Sequence, residues 1–278
     1  MKKEVLKLAI SLLSAGLILI ATSVTLAQNP NEFTVPLSDP AKRGKLKAQI
    51  NYGSITIKGT ARKDILVKYT AAQDNDDDDD DKKKGTKDGL KRIGGGGMDL
   101  EVIENSNIVK VSSDSWNNKL NLEIEVPSGM DLDVKTYNDG DLIVTNIQGE
   151  VGLTNYNGEI TALNISGSVV ANTYNGEIKD TFDKVTEGTP MSYSTYNGDI
   201  DITFPTALKA TLKMKTEQGD IYSGFDVDFK SSGPVQKKDT KAGVYKVVID
   251  EWKRGDVNGG GPEITMKNYN GDIFLRKK

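Results

Sequence analysis

Glycines that recur at a fixed interval constrain the fold of this chain more than any other feature. In the middle of the sequence, five of them follow one another at intervals of nine residues. The tripeptides before these glycines alternate between two kinds. One half of the repeat has YND, NYN or TYN and the other half has NIQ or NIS, so the full repeat has eighteen residues. Such self-similarity predicts stacked coils with glycine at the corners. The predicted corner glycines are Gly140, Gly149, Gly158, Gly167, Gly176, Gly198, Gly219 and Gly271.

Apolar residues follow the corner glycines in a fixed phase. Ile160 and Ala162 stand two and four positions after Gly158, and the other repeats place apolar residues in the same way. An alternation with a period of two predicts strands with one face turned inward. Seven positions after a glycine, isoleucine and tyrosine alternate, as in Ile147 and Tyr156. This shared position predicts that the tyrosines are partly buried in a packed ladder.

The Asn-Gly pairs at the corners are compatible with two all-β architectures. Asn-Gly forms tight turns because both residues tolerate positive φ angles. One architecture is a right-handed parallel β-helix or β-roll with coils of roughly 18 residues, and the alternative is an antiparallel meander or sandwich. The β-helix is favoured because a coil closes around its own core. Stacked coils would align side-chain amides in a bonded column. The candidate ladder or surface residues are Tyr137, Tyr156, Asn157, Tyr174, Asn175, Tyr196, Asn197, Tyr269 and Asn270.

The sequence also predicts how the chain is divided. Residues 1–27 have a basic start, an apolar run and small residues before a cleavage point, which is typical of a signal peptide. We therefore expect export to the periplasm, the cell surface or the medium, with no stable membrane insertion after cleavage. Residues 28–44 form an N-terminal extension and residues 45–278 the β-helical repeat domain. The acidic, lysine- and glycine-rich stretch 74–97 is predicted to be a disordered insertion.

Composition excludes several function classes. The chain has neither histidine nor cysteine, which rules out His-based triads, His-ligated zinc and disulfides. Its formal net charge of −4 provides no basic face for nucleic acid. No cofactor motif is present, so none is expected.

The sequence resembles the putative-adhesin family of secreted β-strand-repeat proteins, which is related to the head GIN-domain proteins. The resemblance is carried by VPSGMDLDVKTYNDGDLIVTNIQGEVGLTNYNGEI (126–160) and by the closing GGGPEITMKNYNGDIFLRKK (259–278). It covers roughly residues 45–278 and implies a right-handed parallel β-helix outside the cytoplasm. The insertion at 74–97 departs from the family pattern, and no family active site can be carried over.

Acidic residues that directly follow the corner glycines are the remaining candidates for chemistry. Paired carboxylates could cleave a glycan, but the same acid recurs in every coil and nothing distinguishes one pair. Calcium sites like those of nonapeptide β-rolls need a different glycine pattern, although the aspartate run in 74–97 could attract the ion.

We therefore expect a non-enzymatic envelope protein, structural or adhesive, that binds an unknown glycan or surface protein. The alternatives are a carboxylate-based polysaccharide enzyme, with a cleft near 177–198 or 223–262, and an envelope-stress component that acts through a protein partner. The acids are Asp141, Glu150, Glu159, Glu177, Asp199, Asp220 and Asp272.

Overall fold

The computed structural model describes residues 31–72, 86–87, 90–91, 99–230, 235–237, 246–248 and 252–278, and this part of the chain contains strands and no helix. The predicted signal peptide lies outside the described residues, as does most of the predicted insertion. In chain order the strands are β1 (Glu32–Pro36), β2 (Lys45–Ile50), β3 (Ile55–Thr60), β4 (Asp64–Ala72), β5 (Thr86–Lys87), β6 (Leu90–Lys91), β7 (Glu101–Asn105), β8 (Ile108–Ser113), β9 (Lys119–Pro127), β10 (Asp131–Lys135), β11 (Leu142–Thr145), β12 (Glu150–Thr154), β13 (Ile160–Asn172), β14 (Ile178–Val185), β15 (Met191–Ser194), β16 (Ile200–Phe204), β17 (Ala210–Lys215), β18 (Ile221–Ser223), β19 (Val227–Lys230), β20 (Val235–Lys237), β21 (Lys246–Val248), β22 (Lys253–Val257), β23 (Glu263–Lys267) and β24 (Ile273–Lys277).

Two sheets enclose the core. Each coil contributes one strand to sheet B, turns at a first corner, and contributes its next strand to sheet A; a second corner leads back to sheet B. The long strand β13 runs through a second corner and belongs to both sheets. Sheet A has the order β1, β4, β9, β3, β11, β13, β14, β16, β24, β18. Sheet B has the order β7, β8, β2, β10, β12, β13, β15, β23, β17, β22, β19.

Parallel pairing connects all the stacked coils. The eight coil strands of sheet A, from β9 to β18, are parallel to one another, and so are those of sheet B, from β8 to β17. The β-helix is confirmed and the antiparallel meander is wrong. Among the described strands, antiparallel pairs form outside this stack. At one end β7 pairs with β8, and β4 and β1 extend sheet A beyond β9, while at the other end β22 and β19 extend sheet B. The predicted N-terminal extension thus contributes β1 to a sheet.

The order of the coils in space differs from their order in the chain. The first coil, β2 with β3, lies between the coil of β8 and β9 and the coil of β10 and β11. The last coil, β23 with β24, lies between the coil of β15 and β16 and the coil of β17 and β18. Both end coils are therefore interior to the stack, an arrangement that the repeat did not predict.

The core is a column of aligned apolar side chains. Leu142, Ile160, Ile178, Ile200 and Ile273 stand in register on successive coils and are at most 1% exposed. Burial of each such side chain stabilises the fold by about 1.5–3 kcal/mol relative to leaving it in water. The inward phase predicted from the sequence is therefore confirmed. The register of the stacked coils places every first corner on one edge of the molecule.

Within the predicted insertion, the structure describes only β5 and β6, which pair antiparallel with each other. The rest of the run of aspartate, lysine and glycine lies outside the described residues, and its expected disorder stays a prediction.

Candidate functional site

The first corner carries a stack of four tyrosines, called here the tyrosine stack: Tyr156, Tyr174, Tyr196 and Tyr269. Successive ring centroids are 5.0, 4.8 and 4.5 Å apart, and the rings are within 7° of parallel. The spacing equals the distance of about 4.8 Å between neighbouring strands. Tyr269 joins the stack because its coil is inserted next to that of Tyr196. The four side chains are 38–49% exposed, so the stack forms a ridge on the surface.

The expected equivalence between tyrosine and isoleucine is wrong. Ile147 and Ile165 are fully buried, whereas Tyr156 and Tyr174 are 49% and 41% exposed. The two kinds of corner turn differently. At the second corner, Asn146 has a positive φ of 59° and the isoleucine after it packs inward. At the first corner, the residue before the tyrosine points inward instead.

Tyr137, the remaining predicted tyrosine, is half-buried and lies against another aromatic residue. Its ring is 6.1 Å from that of Trp116 at an angle of 41°. Trp116 is 59% exposed. Trp116 was not predicted to lie at this surface because its coil lacks the Tyr-Asn-Gly motif.

An amide ladder runs beside the tyrosine stack, as predicted from stacking. Asn175 Nδ2 donates to Asn157 Oδ1 at 2.8 Å, and Asn197 Nδ2 donates to Asn175 Oδ1 at 2.7 Å. Asn270 extends the ladder with a bond of 2.7 Å to Asn197 Oδ1. At the other end, Asn157 Nδ2 lies 3.4 Å from Asn138 Oδ1. Each amide thus fixes the register of the next coil.

Inward-pointing polar side chains form hydrogen bonds to the backbone of the first corner. Thr173 Oγ1 donates to the carbonyl oxygen of Gly158 at 3.1 Å, and Thr195 Oγ1 donates to that of Gly176 at 2.9 Å. These bonds satisfy corner carbonyls that strand pairing leaves free. The same contact to a neighbouring coil is made by Thr136, Asn155, Thr216 and Asn268.

The predicted corner glycines share close packing rather than one backbone conformation. Among the eight, positive φ occurs at Gly158, Gly176, Gly198 and Gly271, each of which follows asparagine. The positive φ expected of the Asn-Gly pairs is therefore confirmed, and the other four glycines follow aspartate, glutamine or serine and lack it. A Cβ atom would nevertheless overlap a backbone oxygen of the neighbouring coil at all eight positions. Glycine is needed because the coils approach one another there. The four without positive φ are Gly140, Gly149, Gly167 and Gly219.

The acids after the first-corner glycines form a row along the edge of sheet A, called here the acid row. Several of them accept a backbone N–H from the next coil. Asp141 Oδ1 accepts the N–H of Glu159 at 2.9 Å, and Asp199 Oδ1 accepts that of Asp272 at 2.8 Å. These carboxylates therefore stabilise the corner. In spatial order the row is Asp141, Glu159, Glu177, Asp199, Asp272 and Asp220.

Glu150, the other predicted acid, lies at a second corner, where its N–H bonds to Asp131 Oδ1 at 2.8 Å. It is not part of the acid row. The two nine-residue halves of the repeat thus place their acids on different edges of the molecule.

Glu177 lies inside the acid row, between Glu159 and Asp199. Burial raises its pKa above the usual range, and the negative charges of Glu159, Asp199 and Asp201 raise it further. Together with Thr161, Leu163 and Lys179, Glu159 and Glu177 line a shallow depression of about 350 Å³. Among the described residues, no group of three or more acidic side chains is arranged to hold a metal ion.

A larger groove of about 590 Å³ lies where residues 183–190 interrupt a second corner. This is one of the two regions in which the enzyme hypothesis predicts a cleft. Its lining includes the apolar Met191, Leu208 and Pro262. The carboxylate of Asp183 at the groove forms an ion pair of 2.6 Å with Lys278 Nζ. Asp183 and Glu187 are the two carboxylates among the lining residues, and both belong to the segment that interrupts the corner.

Among the described residues one carboxyl group is buried in the core, and it was not predicted from the sequence. Asp180 occupies the inward position between Ala162 and Ile202 and is 1% exposed. Its Oδ2 accepts a hydrogen bond of 2.8 Å from the hydroxyl of the fully buried Tyr193, while Oδ1 has no partner. Burial raises the pKa of Asp180 to about 8. The signal was present, since Asp180 stands four positions after Gly176, where other repeats are apolar.

Comparison with family models identifies the family of this chain. Residues 92–258, more than half of the chain, match the family described as Toastrack DUF4097. No curated protein matches the sequence. One similar solved structure is that of a putative cell adhesion protein from Clostridium sporogenes, with 11% identity and a TM-score of 0.47, over 90% of this chain and 100% of that one.

The expected relation to head GIN-domain proteins stays a prediction. Within the described residues, no helix is long and apolar enough to span a bilayer. Since the matching segment covers most of the coils and their first corners, the chain belongs to the Toastrack DUF4097 family.

Proposed function

We propose that the protein is an exported, non-enzymatic component of the bacterial cell envelope that binds an extended glycan along its first corner. The tyrosine stack is the observation that carries this proposal. Four exposed side chains at intervals of 4.5–5.0 Å offer the same contact to each successive unit of a regular polymer. A rigid ridge of this kind loses little side-chain entropy on binding.

The geometry of the stack determines which contacts are open. The rings lie face to face, so each inner ring has both faces covered by neighbours. A sugar therefore meets ring edges and phenolic hydroxyl groups instead of stacking on ring faces. Hydroxyl groups both donate and accept hydrogen bonds, which suits the hydroxyl groups of a glycan.

The acid row beside the stack restricts the charge of the partner. Its carboxylates repel anionic polymers and accept hydrogen bonds from neutral sugars or from amino groups. Arg276, which bonds Asp201 outside the row at 2.6 Å, also interacts electrostatically with Glu177 of the row. The proposal therefore specifies a neutral or amino-sugar glycan.

The alternative is an enzyme that cleaves a glycan, and Glu177 favours it because a raised pKa suits a general acid. Two features oppose this alternative. The depression at Glu177 is shallow, and the neighbouring acid Asp199, like Asp141 further along the row, is held by a backbone N–H group. Catalysis needs one carboxylate to differ from the rest in a cleft.

A glycan array tests the proposal, together with an assay for released reducing sugar. We expect binding to neutral or amino-sugar chains without release of sugar. Replacing all four tyrosines of the stack by phenylalanine keeps the rings and removes the hydroxyl groups, so binding should fall at least about tenfold. The matched control is Tyr222→Phe, which removes an exposed hydroxyl elsewhere on the surface.

Three results would overturn the proposal. Equal binding by the quadruple variant would show that the stack is not the site. Sugar release that disappears in Glu177→Gln would establish the enzyme. Binding to an isolated surface protein, with no glycan bound, would replace the glycan by a protein partner.

A further inference from the structure

We infer that the tyrosine stack is a site of oxidative cross-linking, at which hydrogen peroxide and a peroxidase join neighbouring rings into dityrosine and so link successive coils covalently. This inference is independent of glycan binding. It rests on the distances between the rings and on their exposure.

Ring geometry restricts the reaction to particular pairs. The rings of Tyr196 and Tyr269 are 4.5 Å apart and within 4° of parallel, and those of Tyr174 and Tyr196 are 4.8 Å apart. Side chains that are 38–49% exposed leave an oxidant room to approach the rings. The described chain offers a natural contrast in Tyr222, which is 49% exposed but stacks on Phe274 at 5.1 Å.

The reaction balances as follows. Each of two tyrosines loses one electron and one proton and becomes a phenoxyl radical. The radicals couple through ring carbons ortho to the oxygen, forming one C–C bond, and the two hydrogen atoms on those carbons move to the phenolic oxygens. The two electrons and two protons that are removed convert one hydrogen peroxide into two molecules of water. Phenylalanine has no hydroxyl hydrogen to lose, so Tyr222 has no partner in its own stack.

The dityrosine link would supply a covalent cross-link between coils. Without cysteine, the chain can form no disulfide. A bond between Tyr196 and Tyr269 would tie the last coil, β23 with β24, to the coil of β15 and β16. Cross-links that close long loops stabilise mainly by restricting the unfolded chain, so the urea midpoint should rise after oxidation.

The experiment treats the full chain, at high dilution, with hydrogen peroxide and a peroxidase. Digestion and mass spectrometry then identify linked peptides that have lost two hydrogen atoms. We expect links within one molecule between Tyr156 and Tyr174, Tyr174 and Tyr196, and Tyr196 and Tyr269. In Tyr196→Phe only the first of these links should remain, because Tyr174 and Tyr269 are then separated by a coil.

The control is Tyr222→Phe, which should leave the three links unchanged. Links spread over Tyr222 and the stack in proportion to exposure would overturn the inference. So would links formed only between molecules, seen as dimers whose yield rises with concentration. Unchanged linkage in Tyr196→Phe would also refute it, and the far-ultraviolet circular dichroism of that variant establishes that it has folded.

Discussion

Replacing Asp180 by asparagine should change how the stability of the protein depends on pH. In the folded protein, burial raises the pKa of this carboxyl from an ordinary 3.8 to about 8. The folded state thus holds a proton that the unfolded state releases above about pH 4. The stabilisation from this proton is complete below pH 4 and is lost as the pH rises to 8. At about 1.4 kcal/mol per pH unit, the loss reaches about 6 kcal/mol.

Asparagine is neutral at every pH and should abolish this loss. It adds an N–H group to the core, and an unpaired buried donor costs about 1–3 kcal/mol. We therefore expect the wild type to be more stable near pH 4 and the variant to be more stable at pH 8, by about 4 kcal/mol. The urea unfolding free energy, measured at half-unit steps from pH 4.5 to 8.5, gives the difference between the two proteins directly.

Comparison of the two proteins removes the contribution of surface groups. Asp139 and Asp256 have lowered pKa values because of Lys119 and Lys230, and they favour folding in the opposite pH direction in both proteins. The matched control is Asp133→Asn, on the outer face of sheet B. Parallel stability curves for wild type and Asp180→Asn would refute the reasoning, because they would show that Asp180 is already ionised or solvated in the fold.

Three further perturbations test the coil assignment. Gly158→Val should cost at least about 3 kcal/mol, since its Cβ meets the Gly140 carbonyl and φ is 148°; the melting temperature should fall, whereas Gly129→Ala, with open space at Cβ, should leave it unchanged. Removing residues 263–278 should unfold the whole domain, because they form an interior coil. A cooperative unfolding transition in the shortened protein would contradict this. Deleting residues 75–96 should leave the circular dichroism spectrum and soluble yield intact, and loss of soluble protein would show that the insertion is structural.

The sequence was sufficient to predict the coil and its corners. The glycine spacing and the phase of residues such as Ile160 and Ala162 specify strands with one buried face, and the amide column of Asn157, Asn175 and Asn197 follows from stacking them in register. These features are local or repeat at a fixed period, so each coil carries its own signal.

The order of the coils could not be predicted in this way. Every coil presents the same inward pattern and nearly the same corner, so the repeat alone permits any coil to pair with any other. The placement of β2 beside β8, and of β23 beside β17, depends on long-range pairing. The difference in exposure between the tyrosines and the isoleucines could not be predicted, for a related reason. Their phase matches that of Ile147, but the turn at each corner, and not the phase, determines which side chain points inward.

Because both end coils are interior, the core can be completed only after β23 and β24 have been made. The strands β2 and β3 emerge first, yet their neighbours on both sides, β8 to β11, are made later. The position between the coil of β15 and β16 and the coil of β17 and β18 is filled by β23 and β24, which are made after both. Pairing between such distant segments is slow. A nascent chain that has not yet reached these strands therefore lacks two of the pairings that join its coils.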